Sequence, residues 1–190
     1  MPNIIRETNQ GFFSMPLEDE MFQHRELECV DTIDSSSAYS LCRQLRCLQR
    51  ADPEGEITLF INCPGGEIRS GLAIYDVMQS ISCPIRTVCM GLAASMASLL
   101  FAAGDRRDIL PHGQVLIHDP LSSRGIEGSA LRVYEASQEL MKARETLGNL
   151  LARHTGRTLE EIFEKTKQDT IFSAEEAVEF GLADRVIHVI

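Results

Sequence analysis

Three side chains in this chain of 190 residues sit where strand-like runs meet turns, and their types are those of nucleophilic acyl transfer. Ser95 lies in Ala93-Ala94-Ser95-Met96-Ala97, between an apolar run and an apolar helical pattern, flanked only by small or apolar residues. Its hydroxyl would stand at a tight turn beside the positive end of a helix. His118 closes the apolar run Val115-Leu116-Ile117 and is pinned by Pro120. Asp169 follows a helical pattern from Thr158 to Lys167 and precedes the buried-looking pair Ile171-Phe172. A serine hydroxyl needs a base to take its proton, and a carboxylate fixes the imidazole tautomer and stabilises the imidazolium. Taken singly, each residue has a plainer reading: a helix N-cap, a hydrogen-bonded strand end and a solvated carboxylate. Acyl transfer also needs fixed donors for the developing oxyanion, each worth about 3 kcal/mol. Asn62-Cys63-Pro64-Gly65-Gly66 is a predicted turn after a strand, from which the Gly66 N–H could converge with that of Met96. An ordinary strand-to-helix loop would read the same.

Elements must position these groups. Asp34 to Arg50 opens on capping residues and repeats Ala38, Leu41, Leu45 and Leu48 at helical intervals. Glu56 to Asn62 reads as a buried strand, Arg69 to Ser80 as a helix and Ile85 to Met90 as a second strand, which is a βαβ pattern of parallel pairing. Gly91 is expected to open a turn into a helix, Met96 to Ala103, apolar on every side and therefore buried. A third strand is predicted at Val115 to Ile117, and a long helix from Ser129 to His154, stopped by Gly156. Thr158 with Glu161 and Ser173 with Glu176 have the spacing of capping boxes, and Arg185 to Ile190 reads as the last strand. The pattern predicts one α/β domain.

Composition excludes several function classes. Eighteen Lys and Arg against 28 Asp and Glu leave a net charge of −10, which repels phosphate backbones and anionic membranes, so neither nucleic acid nor membrane is an expected partner. The longest uncharged run, Thr87 to Gly104, is short for a membrane span and rich in small residues. No cationic start followed by an apolar stretch marks a secretory signal, so the expected location is cytoplasmic. The six cysteines form no C-x-x-C and read as small buried thiols; the five histidines show no metal-ligand spacing. Neither a P-loop nor a G-x-G-x-x-G occurs, so no nucleotide cofactor is expected.

Several stretches together resemble the proteolytic subunit family of the Clp protease, ClpP: LFINCPGGEIRSGLAIYDVMQ, CMGLAASMASLL, VLIHDPL, LARHTGRTLEEI and DTIFSAEEAVEFGLAD, within Ile33 to Ile187. The resemblance implies a serine endopeptidase with Ser95 as nucleophile, His118 as base, Asp169 as orienting acid, and Gly66 and Met96 as oxyanion donors. It implies the ClpP/crotonase-type α/β fold, with residues 1–32 as an axial docking segment. A projecting handle over 119–154 would consist of a strand after Pro120 and the long helix. It further implies two stacked seven-membered rings fed with unfolded polypeptide by an ATP-dependent AAA+ Clp unfoldase, the subunit itself holding no cofactor or metal. The handle would be an interface, which accounts for its apolar residues.

The chain departs from that pattern at several positions. Thr170 follows Asp169 where relatives place an arginine, Asp119 follows His118 where glutamine is common, and a usually glycine-rich stretch reads Leu121-Ser122-Ser123-Arg124-Gly125. Phe13 to Met21 is acidic for an axial segment, and Ser80 stands at an aromatic position of the docking pocket. Two alternatives accompany the peptidase reading. One is a catalytically silent paralogue in a mixed ring, whose usual mark, a missing triad residue, is not present. The other is a crotonase-like acyl-CoA enzyme, which would favour a basic pocket. An α/β-hydrolase would order its triad Ser, Asp, His and carry G-x-S-x-G.

Overall fold

The computed structural model describes residues 2–9, 11–122 and 125–190. Its N-terminus, left without elements by the sequence reading, is an antiparallel hairpin of β1 (Asn3–Thr8) and β2 (Gly11–Pro16), followed by helix α1 (Leu17–Gln23). Next comes β3 (Glu26–Val30), whose alternation of buried Leu27 and Cys29 with exposed Glu28 and Val30 is the period of a half-buried strand.

The helix α2 (Ser35–Ala51) starts as expected from Asp34, whose side chain accepts the N–H groups of Ser36 and Ser37. Its stripe of Ala38, Leu41, Leu45 and Leu48 is buried. Cys47 falls off that stripe and is exposed, and Cys42 is half-buried, so the expectation of six buried thiols holds for Cys29, Cys63, Cys83 and Cys89. All six are free. After α2 the chain alternates through β4 (Ile57–Cys63), α3 (Ile68–Ser80), β5 (Ile85–Ala94), α4 (Met96–Ala102), β6 (Arg106–Ile109) and β7 (Gln114–Ile117). The long helix α5 (Ala130–Thr155), α6 (Leu159–Thr166), β8 (Thr170–Phe172), α7 (Ala174–Phe180) and β9 (Arg185–Val186) complete it. Both capping boxes form, at Thr158 and Ser173.

The result is a mixed α/β fold around a central parallel sheet in the order β3-β4-β5-β6-β9. Ile57, Leu59 and Ile61 of β4 enter the main core, while Phe60 and Val88 form a smaller cluster with Ile187 on which Met21, Met90 and Leu110 pack. Burial on both faces is why β4 reads as a continuous apolar run. At the β6–β9 edge a fully buried Asp108 accepts hydrogen bonds from Arg86 Nε (2.6 Å) and Arg185 Nε (2.8 Å). Burial pushes its carboxyl up, but the bonds from Arg185 and Arg86 outweigh that and hold it below the usual carboxylate range.

Four details differ from the sequence reading. β5 runs through Gly91 to Ala94, so the turn is Ser95 itself. Ile171 is exposed although Phe172 is buried, because successive strand residues face opposite ways. β9 ends at Val186, and Val189 and Ile190 lie in solvent. The helix half of the expected handle is present as α5, but the described residues of 120–129 form no strand. Extended backbone needs a neighbouring edge for its N–H and C=O groups, and the single chain offers none there. Residues 123–124 of the stretch Leu121 to Gly125 lie outside the described residues. Among the described residues no helix is long and apolar enough to cross a membrane.

Candidate active site

The geometry of the site begins with a change of partner along β5. Arg86 to Cys89 pairs with β6, whereas Leu92 to Ala94 pairs with β7. Between them the register against β4 slips, from Ile61 opposite Cys89 to Cys63 opposite Ala93. The side chain of Asn62 fills the irregularity, its Oδ1 accepting the Leu92 N–H at 3.1 Å. A Cβ on Gly91 would come within 2.7 Å of that oxygen, so only glycine fits without displacing Asn62. A bulge of this kind re-aims the end of a strand. Here it carries the end of β5 to β7, where the candidate base resides.

Ser95 occupies the next position with φ 55° and ψ −123°, a left-handed backbone that L side chains rarely adopt and that carries strain of roughly 1–3 kcal/mol. Three contacts impose it. The Ser95 N–H donates to the Leu116 carbonyl of β7 at 2.9 Å. Its own carbonyl accepts from the Ser98 N–H (3.0 Å) and hydroxyl (2.6 Å), closing the first turn of α4. Gly65 presses against the turn so closely that a Cβ there would stand 2.6 Å from both the Ala94 carbonyl oxygen and the Ser95 Cβ. Ser95 is at the N-cap position, yet its side chain makes no capping bond, and among the described residues its hydroxyl has no hydrogen-bond partner. The capping alternative therefore lacks the bond that defines it. Behind the turn, every residue of α4 is buried, as the all-round apolar pattern predicts.

Strand pairing sets where His118 and Asp169 stand. β7 and β8 run antiparallel with Ile117 opposite Thr170 as their last pair, His118 following the one strand and Asp169 preceding the other. The three residues thus lie at the ends of the adjacent strands β5, β7 and β8. Ser95 and His118 line one cavity of about 760 Å³, with apolar walls from Ile68, Leu99, Leu147 and Leu151. Asp169 is exposed and does not line it. In this arrangement the His118 Nδ1 is 2.6 Å from the backbone carbonyl of Asp119. A carbonyl only accepts, so the proton sits on Nδ1, and the neutral ring keeps its lone pair on Nε2.

Gly66 and Met96 line the same cavity. Gly66 has φ 156°, and a Cβ on it would overlap the Ile33 carbonyl oxygen at 2.0 Å. Its neighbours are tied to Ile33, with Ile33 N–H donating to the Gly65 carbonyl and Glu67 N–H to the Ile33 carbonyl, both at 2.8 Å. Among the described residues the Gly66 N–H has no protein acceptor, and that of Met96, first in its helix, has none within the helix. The turn is anchored by Cys63, whose thiol donates to the Asp31 carbonyl (2.9 Å) and accepts the Gly65 N–H (3.3 Å). The hydrogen bond with Cys29 lowers the Cys63 thiol to about 7, while that same bond and burial raise Cys29.

Sequence reasoning missed Gly65 as the residue pressing on the serine, and missed Asn62 with Gly91 as the bulge. An asparagine ending an apolar strand, with a lone glycine in the next strand, was the available signal. It also counted Asp119 only as a departure, although its carboxylate joins two helices. Chemically, the cavity gathers in its lining a proton acceptor, a hydroxyl and two residues with uncommitted N–H groups, the group types that acyl transfer needs. The sequence model of the Clp protease family matches residues 10–189.

Proposed function

The chain belongs to the Clp protease family, and from that premise we propose that it hydrolyses peptide bonds with Ser95 as nucleophile, His118 as general base and Asp169 as orienting acid. The observation that carries this reading is the Ser95 hydroxyl, uncommitted to any cap and held on strained backbone at the cavity it shares with His118. His118 Nε2 takes the serine proton as Oγ attacks the scissile carbonyl carbon, and the N–H groups of Gly66 and Met96 receive the oxyanion. The imidazolium then protonates the leaving amine, and water, activated by the same ring, releases the acyl group. Asp169, the residue before β8, supports the imidazolium by its charge while the Asp119 carbonyl keeps the Nδ1 proton in place.

The polypeptide substrate would enter unfolded, since the cavity walls suit an extended chain with an apolar side chain. Homo-oligomerisation into two stacked heptameric rings is supported by α5, which exposes Leu131, Tyr134 and Met141. In this reading residues 119–154 form the handle between subunits, 1–32 the axial segment, and an AAA+ Clp unfoldase the feeding partner. Six free cysteines fit a reducing, cytoplasmic setting. The test is a fluorophosphonate probe: it labels Ser95, and Ser95→Ala abolishes cleavage of short fluorogenic peptides, a loss on the order of 10⁴-fold or more. Turnover retained in Ser95→Ala overturns the reading. A catalytically silent subunit is the second reading, favoured by Asp169 lying outside the cavity that Ser95 and His118 share. A pure particle that assembles but never reacts with the probe supports it.

A further inference from the structure

Asp119 makes four hydrogen bonds that converge on the base. Its carbonyl accepts from His118 Nδ1 (2.6 Å), and its N–H donates to the Thr166 carbonyl (2.9 Å). The two carboxylate oxygens are divided, Oδ1 accepting from the Thr166 hydroxyl (2.7 Å) and Oδ2 from Arg144 Nε (2.8 Å). The Arg144 guanidinium itself stands over the Phe163 ring, its Cζ 3.6 Å from the centroid. Asp119 is thus fixed to α5 through Arg144 and to the end of α6 through Thr166.

The position of this clamp makes it more than a surface ion pair. It lies one residue beyond His118, where the β7–β8 ladder ends, and its other anchor is Thr166, the last residue of α6. Three residues later comes Asp169. The same side chain therefore holds both the segment that carries the base and the segment that leads to the acid.

We propose that Asp119 is a positioning residue for the His118 base. Its backbone oxygen sets the Nδ1–H tautomer, leaving Nε2 free to accept the serine proton, and its carboxylate stops that oxygen from drifting by fixing it to α5 and α6. Thr166 and Arg144 are the partners through which it does so. The proposal rests on the peptidase reading of Ser95 and His118, and its test separates the two.

Peptide turnover and fluorophosphonate labelling are measured on the full chain for wild type, Asp119→Ala, Asp119→Asn and Arg144→Ala, with assembly checked by native mass. Asp119→Ala is expected to lower kcat about 10²-fold with KM changed less than about threefold, since a ring misplaced by an ångström loses that order of rate while the cavity still binds substrate. Labelling of Ser95 slows in parallel. Asparagine retains one side-chain acceptor, so Asp119→Asn recovers about tenfold of the loss. Arg144→Ala lowers kcat, and adding it to Asp119→Ala lowers it no further, because both break one clamp. A wild-type kcat in Asp119→Ala overturns the proposal, as does a loss that appears in KM alone. Should Asp119→Ala fail to fold, Asp119→Asn and Arg144→Ala carry the test, and wild-type kcat in both overturns it. A wild-type chain that neither labels nor cleaves removes the peptidase reading instead.

Discussion

The helices α4 and α5 both carry large apolar residues, and they place them differently. All seven residues of α4 are buried, and the helix fixes the turn that holds Ser95. Of the 26 residues of α5, only Gly148 and Leu151 are buried, both near its C-terminal end, while Leu131, Val133, Tyr134 and Met141 of its outer half lie in solvent. Burial of a large apolar side chain is worth about 1.5–3 kcal/mol. The first helix obtains that stabilisation within its own chain, and the second leaves it available to a neighbour. One helix builds the site and the other presents a surface.

Substitutions divide the two helices most sharply where burial is complete. Phe101 of α4 is fully buried in the main core, so Phe101→Ala should destabilise the chain by about 3–5 kcal/mol, read as a lower midpoint in urea denaturation. A loss under about 1 kcal/mol would show that α4 is not the support of the serine turn. The anchored end of α5 comes next. A Cβ on Gly148 would approach Phe163 Cε1 to 2.6 Å and Leu159 Cδ1 to 2.9 Å, so Gly148→Ala forces α5 away from α6. Overpacking of this kind costs about 1–3 kcal/mol, against the slight gain alanine brings to an exposed helix.

The outer half of α5 should behave in the opposite way. Leu131→Ser with Tyr134→Ser changes side chains that are 65% and 62% exposed, so the folding free energy should move by no more than about 0.5 kcal/mol per site. Native mass measurement should nevertheless show smaller particles. If the doubly substituted chain assembles as wild type does, the outer half of α5 is not the interface.

The contrast between the helices also shows what could be read before any coordinates. The apolar pattern of Met96 to Ala103 was legible because an all-round pattern has only one soluble solution, complete burial. Ser95, His118 and Asp169 were legible as types at strand ends, whereas the β5–β7–β8 pairing that sets those ends beside one another is long-range, and no local pattern encodes it. The exchange of partners along β5 was invisible for the same reason: Gly91 reads as a turn residue until the Asn62 side chain occupies the space beside it. The missing strand after Pro120 has a different origin. The family resemblance supplied it, and an extended segment with no edge to join leaves its N–H and C=O groups unpaired, so nothing in the single chain favours a strand there. The hairpin of β1 and β2 escaped notice because Phe12 and Phe13 are exposed, so its pattern carries no buried stripe.

The smallest expected effect lies at the junction of the two regions, where α5 ends against α3. His154 Nε2 and the Tyr75 hydroxyl are 2.9 Å apart, their rings packed edge to face. Burial lowers the His154 imidazole below its ordinary value, with Arg153 and Arg107 adding repulsion to its cation. The folded chain therefore holds this ring neutral in a range where the unfolded chain protonates it. Because the unfolded state then binds more protons, stability is fully present above the ordinary histidine value of about 6.5 and declines as pH falls from there toward the lower folded value. Asp108 contributes in the same direction further down, where protonation of its depressed carboxyl releases Arg86 and Arg185. Urea midpoints measured from pH 8 to pH 3 should fall first near 6.5, and His154→Gln, which cannot titrate, should flatten that limb and leave the more acidic one. A limb that persists unchanged in His154→Gln would assign it to another histidine and remove His154 as the sensor of how firmly α5 is seated.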